Sequence, residues 1–104
     1  VTRPRTEAVV EVRVRLLGIF RGLSGKGRLT LRLEETVSVG EVVQRLAEAL
    51  PAEFGRALVD PELGDPRPNA LILVNGREIS ALEGLHTEVD DGCEITLIPV
   101  SHGG

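Results

Sequence analysis

The sequence predicts an α+β domain: a mixed sheet with one main helix across one face. Three observations carry this. Residues 8–16 alternate apolar and polar with period two. Residues 38–50 carry a single apolar stripe at helical spacing behind a capping serine. Apolar runs then return, separated by the tight-turn dipeptides Asn75-Gly76 and Asp91-Gly92. Helix and strands segregate along the chain, as an α+β layering requires.

In the first strand Val10, Val12, Val14 and Leu16 face one way and Glu11, Arg13 and Arg15 the other, the pattern of a half-buried strand. The polar face turns apolar towards the strand's end, at Leu17 and Ile19. Gly22 to Gly27 reads as a turn, and Arg28 to Leu33 returns with Leu29, Leu31 and Leu33 inward, so the two strands are predicted to form a hairpin. Ser38-Val39-Gly40-Glu41 matches a capping box, with the serine accepting from the third helical amide and Glu41 reaching back. Val39, Val42, Val43, Leu46, Ala47 and Leu50 form the core-facing stripe, and Pro51 ends the helix.

Ala52 to Val59 reads as a short helical turn with Phe54 and Leu58 inward, followed by a proline-rich loop over Asp60 to Asn69. Ala70 to Val74 is a continuous apolar run. Asn75-Gly76 turns it into the short return strand Arg77-Glu78-Ile79. Leu82 to Leu85 is irregular, and Asp91-Gly92 leads into the last strand, Cys93 to Pro99. The predicted boundaries are a disordered lead-in over 1–7, one domain over 8–99 and a flexible tail over 100–104. The order strand, strand, helix, strand, short strand, strand is that of the β-grasp fold, in which the first and last strands lie parallel at the centre.

A chain of 104 residues is one domain, able to bury roughly two-thirds of its unfolded surface. With two phenylalanines, no Trp and no Tyr, the core is built from Val, Leu, Ile and Ala, and a base-stacking nucleic-acid platform is disfavoured. The net charge of −4 gives no basic footprint for nucleic acid or anionic lipid and suits a positively charged partner instead. Glu83, Glu88, Asp90 and Asp91 either answer such a surface or form a plain solvated face. Lys26 is the one lysine beside eleven arginines, so self-conjugation through a side chain would be sparse. No apolar run approaches the ~20 residues that span a bilayer, and the single cysteine gives no disulfide framework, so the expected compartment is the cytoplasm. Cys93 is expected to be a partly buried, inert thiol, and with His86, His102 and the carboxylates it shows no metal-ligand spacing.

Leu73-Val74-Asn75-Gly76-Arg77-Glu78-Ile79, Leu82-Glu83-Gly84-Leu85, Val89-Asp90-Asp91-Gly92-Cys93-Glu94-Ile95 and the terminal Ser101-His102-Gly103-Gly104 together resemble the ubiquitin-like sulfur carriers (MoaD- and ThiS-like). The ending is most similar to that of the ubiquitin-related modifiers. The resemblance implies a protein that is not itself an enzyme and holds no cofactor. A ubiquitin-type activating enzyme, using ATP and Mg²⁺, would adenylate the Gly104 carboxylate, and a sulfur donor would convert it to a thiocarboxylate for an acceptor enzyme. Transfer of that sulfur would serve tRNA thiolation or cofactor biosynthesis. The alternatives are a modifier joined through Gly104 to lysines of target proteins, the small subunit of molybdopterin synthase, or a ubiquitin-like adaptor that only binds.

The tail suits such a role physically. Val100 to Gly104 extended reaches about 17 Å at roughly 3.5 Å per residue. Gly103 and Gly104 lack Cβ, so their backbone passes a narrow channel. Activation is necessary because a carboxylate with a pKa of about 3.5 is anionic and inert at neutral pH. No residue of the chain is assigned a catalytic role. Leu17, Ile98 and Val100, expected on the open face of the sheet, and Ser101 and His102 in the tail are the candidate partner-binding residues, since clustered exposed apolar side chains mark interaction surfaces.

Overall fold

The computed structural model describes residues 9–100, so the lead-in over 1–7 and the tail residues Ser101, His102, Gly103 and Gly104 lie outside the described residues. A five-stranded sheet has the order β2-β1-β7-β4-β5: β1 is Val10–Leu16, β2 Arg28–Leu33, β4 Ala70–Val74, β5 Arg77–Glu78 and β7 Glu94–Pro99. β1 and β7 run parallel, Arg13 to Leu16 against Glu94 to Leu97, while β1–β2, β4–β7 and β4–β5 are antiparallel. A two-stranded ribbon pairs β3, Val37–Ser38, with β6, Glu88–Val89. The predicted α+β arrangement, with first and last strands parallel inside the sheet, is what the structure has.

One face of the sheet carries the core. Val12, Val14 and Leu16 of β1, Ile95 and Leu97 of β7, and Ala70, Ile72 and Val74 of β4 are buried against α2, Val39–Ala49, whose Val39, Val42, Val43 and Leu46 are inward. The predicted short helix is α3, Ala52–Leu58, with Phe54 and Leu58 fully buried. On the sheet-edge strand β2 the inward stripe is weaker: Leu33 is buried and Leu29 and Leu31 are half-buried.

Two local expectations are corrected. The connection from β1 to β2 is not a simple hairpin turn, because α1, Gly18–Ser24, lies inside it. The strand stops at Leu16; Gly18 takes φ +55° and the chain enters the helix, so Ile19 is exposed while Phe20 turns into the core. Phe20 meets Phe54 edge-to-face at a centroid distance of 5.9 Å, a favoured aromatic arrangement that ties α1 to α3. Gly25, at φ +78°, then ends α1 in the left-handed conformation.

The capping box is half made. Ser38 Oγ accepts from the Glu41 amide at 3.2 Å, as expected, but the Glu41 carboxylate takes Arg45 at 3.0 Å rather than reaching back. Ser38 belongs to the β3–β6 ribbon, and the next amide, of Val39, donates to the Thr87 carbonyl, so the chain entering α2 is held by backbone pairing. No helix among the described residues is long and apolar enough to cross a membrane.

Candidate functional site at the root of the C-terminal tail

Because β1 and β7 are parallel, they finish at the same end of the sheet, and β7 runs on there towards the terminal glycines. The β4–β7 ladder pairs Ala70 with Pro99, and the Val100 amide donates to the Asn69 carbonyl at 3.0 Å. Asn69 is held in turn, its amide donating to Pro66 O at 2.9 Å and its Nδ2 lying 3.4 Å from Leu58 O. Gly18 closes on the other side: a Cβ there would lie 2.8 Å from Pro99 Cγ. The strand leading to the tail is therefore gripped from both flanks up to Val100.

Strand alternation sends Thr96 and Ile98 to the face opposite the core, and Leu17 stands one residue beyond the Leu16–Leu97 pair, beside Ile98. Leu17 and Ile98 are half-buried and Val100 is 40% exposed. The structure brings these three predicted residues to one end of the open face. It adds two that sequence reasoning missed: Leu71, directly across from Ile98 and 41% exposed, and Leu73, across from Thr96. Period-two alternation puts Leu71 and Leu73 opposite Ala70, Ile72 and Val74, but in a run that is apolar throughout it does not say which set faces the core.

The charge of this face differs from the chain's acidic average. Arg13 and Arg15 of β1 and Arg28 and Arg32 of β2 lie on it with Glu11 and Glu94, and Arg15 stands directly opposite Arg28. Two of the four acidic residues singled out from sequence, Asp90 and Asp91, make contacts elsewhere. Asp91 Oδ1 accepts from the Glu11 amide at 2.8 Å, at the start of β1, and Asp90 Oδ1 from Thr36 Oγ1 at 3.0 Å, in the connection from β2 to β3. Each of those two carboxylates links segments distant in the sequence.

Among the described residues, no group of three or more His, Cys, Asp and Glu side chains gathers as a metal site would require. Cys93 is half-buried, 3.6 Å from Asn75 Nδ2. A hollow of about 660 Å³ lies between α2 and the proline-rich loop, lined by Glu41, Gln44, Glu48 and His86 among others. It contains none of the candidate site residues. Among the described residues, the candidate partner-binding side chains Leu17, Ile98 and Val100 thus stand beside the anchored end of β7.

The ThiS family matches residues 14–104. The chain belongs to the ThiS family. It is 30% identical over 95 residues to small archaeal modifier protein 3 of Haloferax volcanii, covering 91% of this chain and 100% of that one. It is 31% identical over 70 residues to a putative sulfur carrier protein of Archaeoglobus fulgidus, covering 67% and 77%. The solution structure of small archaeal modifier protein 1 from Methanosarcina acetivorans superposes with a TM-score of 0.75 at 31% identity, over 92% of this chain and 98% of that one. The fold is ubiquitin-like β-grasp, and the chain is a member of a family of small protein carriers and modifiers rather than of catalysts.

Proposed function

We propose that this protein is a sulfur carrier whose working group is the Gly104 carboxylate. The observation that carries the reading is the anchored end of β7, gripped by Gly18 and Asn69 beside the apolar patch of Leu17, Leu71 and Ile98, in a chain of the ThiS family. A carboxylate oxygen of Gly104 attacks the α-phosphorus of ATP on a ubiquitin-type activating enzyme, forming the acyl-adenylate and releasing pyrophosphate. Hydrosulfide delivered by a donor then attacks the acyl carbon, displaces AMP and gives up its proton, leaving a thiocarboxylate. The partner supplies ATP, Mg²⁺ and the catalytic groups. The carrier supplies the docking patch, with Val100, Ser101 and His102 leading Gly103 and Gly104 into the partner's cleft.

Intact mass after incubation with the host's activating enzyme, ATP and a sulfur donor tests this. A gain of one sulfur-for-oxygen exchange, absent in a variant lacking Gly104, is expected. An unchanged mass in a mixture that activates another carrier would move the function to binding alone. The 30% identity to small archaeal modifier protein 3 favours a second use of the same activated end, isopeptide transfer to lysines of other proteins. Host lysines carrying an isopeptide-linked peptide that ends in Gly103-Gly104, and that depend on this chain, would reveal it.

A further inference from the structure

We infer that the surface receiving this protein is acidic where it meets the Arg15–Arg28 pair, next to an apolar contact for Leu17, Leu71 and Ile98. The partner is the enzyme that activates Gly104, so the inference rests on the function proposed above. It reverses the expectation from composition, that an acidic chain calls for a basic partner.

Arg15 and Arg28 are direct cross-strand neighbours on the open face. Like charges in that position oppose strand pairing. Among the described residues the ion pairs are Arg32–Glu11, Arg45–Glu41 and Arg67–Asp65, so neither Arg15 nor Arg28 is neutralised there. The two, with Arg13, Thr30 and Glu94, line a shallow hollow of about 270 Å³. Arg13 has Glu94 as its neighbour on β7, which leaves the cationic excess concentrated at Arg15 and Arg28.

Position decides what this excess faces. Arg15 is level with Thr96 on β7, one row before the Leu17–Ile98–Leu71 row and the emerging Val100. The cationic pair and the apolar patch are contiguous and border the root of the tail. An enzyme that draws the tail into its cleft contacts both. Exposed charges act within a Debye length of about 10 Å, so this local pair is felt at contact despite the net charge of −4. An apolar row without aromatic side chains beside the arginines fits a protein surface better than a nucleic acid, whose single strands call for stacking platforms.

The test uses the full chain and the host's activating enzyme, with carrier-dependent ATP–pyrophosphate exchange as the readout. R15E/R28E is compared with wild type and with R45E/R56E, a charge-matched pair on the helices, after circular dichroism shows all three folded. The expected result is an apparent KM for the carrier raised about tenfold or more in R15E/R28E with kcat little changed, and a KM within about twofold of wild type in R45E/R56E. Equal KM values for the two double variants would overturn the acidic-surface inference while the exchange itself upholds the carrier function. Loss of affinity for host tRNA with KM unchanged would assign the pair to RNA and overturn it as well. Absence of exchange and of binding with wild type would overturn both readings together.

Discussion

Gly18 and Pro99 are packed so closely that a Cβ on the glycine would stand 2.8 Å from Pro99 Cγ, and the glycine also holds φ +55°. One contact thus joins the turn from β1 into α1 to the last residue of β7. Gly18→Ala meets two penalties, the left-handed backbone and the overlap, together about 2–3 kcal/mol. Thermal melts should show a clear fall in Tm. Gly22, inside α1 with nothing within 4 Å of its would-be Cβ, is the matched comparison, and Gly22→Ala should raise stability by about 0.5–1 kcal/mol. A neutral Gly18→Ala would mean that neither the left-handed backbone nor the close Pro99 contact is present in solution.

The half-made capping box separates two side chains that sequence alone treats as a pair. Ser38→Ala removes an acceptor from the Glu41 amide and should cost about 1 kcal/mol in denaturant unfolding. Glu41→Ala removes the exposed pair with Arg45 and one negative charge from the first turn of α2, offset in part by alanine's helix propensity, and should cost about 0.5 kcal/mol. A reciprocal box would make the two losses similar.

The same contrast explains what was legible before the structure. β1, α2 and β7 bury one face against a single core, so their periodicity is strong. Asn75-Gly76 and Asp91-Gly92 are local turn chemistry that needs no tertiary context. α1 was hidden because its apolar signal, Leu17, Phe20 and Leu23, spans barely two turns and its second half merges with the glycine-rich Gly22 to Gly27. Leu71 and Leu73 were hidden for the opposite reason: with both faces of β4 apolar, alternation leaves no contrast. The Arg15–Arg28 opposition depends on register. The inward leucines narrow it, but α1 in the connection removes the short turn that would have fixed it.

Asp65 and Arg67 give a pH-dependent local restraint in the proline-rich loop. The Arg67 guanidinium and the Arg67 backbone amide both donate to the Asp65 carboxylate, the guanidinium bond as short as 2.6 Å, and hold its pKa below the ordinary Asp value. A depressed carboxylate contributes while ionised, so the restraint is present above the ordinary Asp pKa and is lost as pH falls through the lowered one. Carboxyl NMR titration should place Asp65 below an unperturbed aspartate, and Arg67→Gln should move it upward. No movement would mean the guanidinium is not seated on the carboxylate.

Asn75 joins the β4–β5 turn to β7. It holds φ +51°, its amide donates to Glu94 O at 2.8 Å, and its Oδ1 accepts from the Glu94 amide at 2.9 Å. The backbone conformation and the side-chain bond are separable by two substitutions. Asn75→Gly keeps the left-handed conformation and loses the Oδ1 acceptor, for about 1 kcal/mol. Asn75→Ala loses the acceptor and adds left-handed strain, for about 2–3 kcal/mol in all. Amide exchange at Glu94 should quicken in both variants, because its donor loses the same partner, while the unfolding midpoint should fall further in Asn75→Ala. Equal midpoints would show that the turn relaxes out of the left-handed region once the side chain is removed, and that the Oδ1 bond alone holds it there.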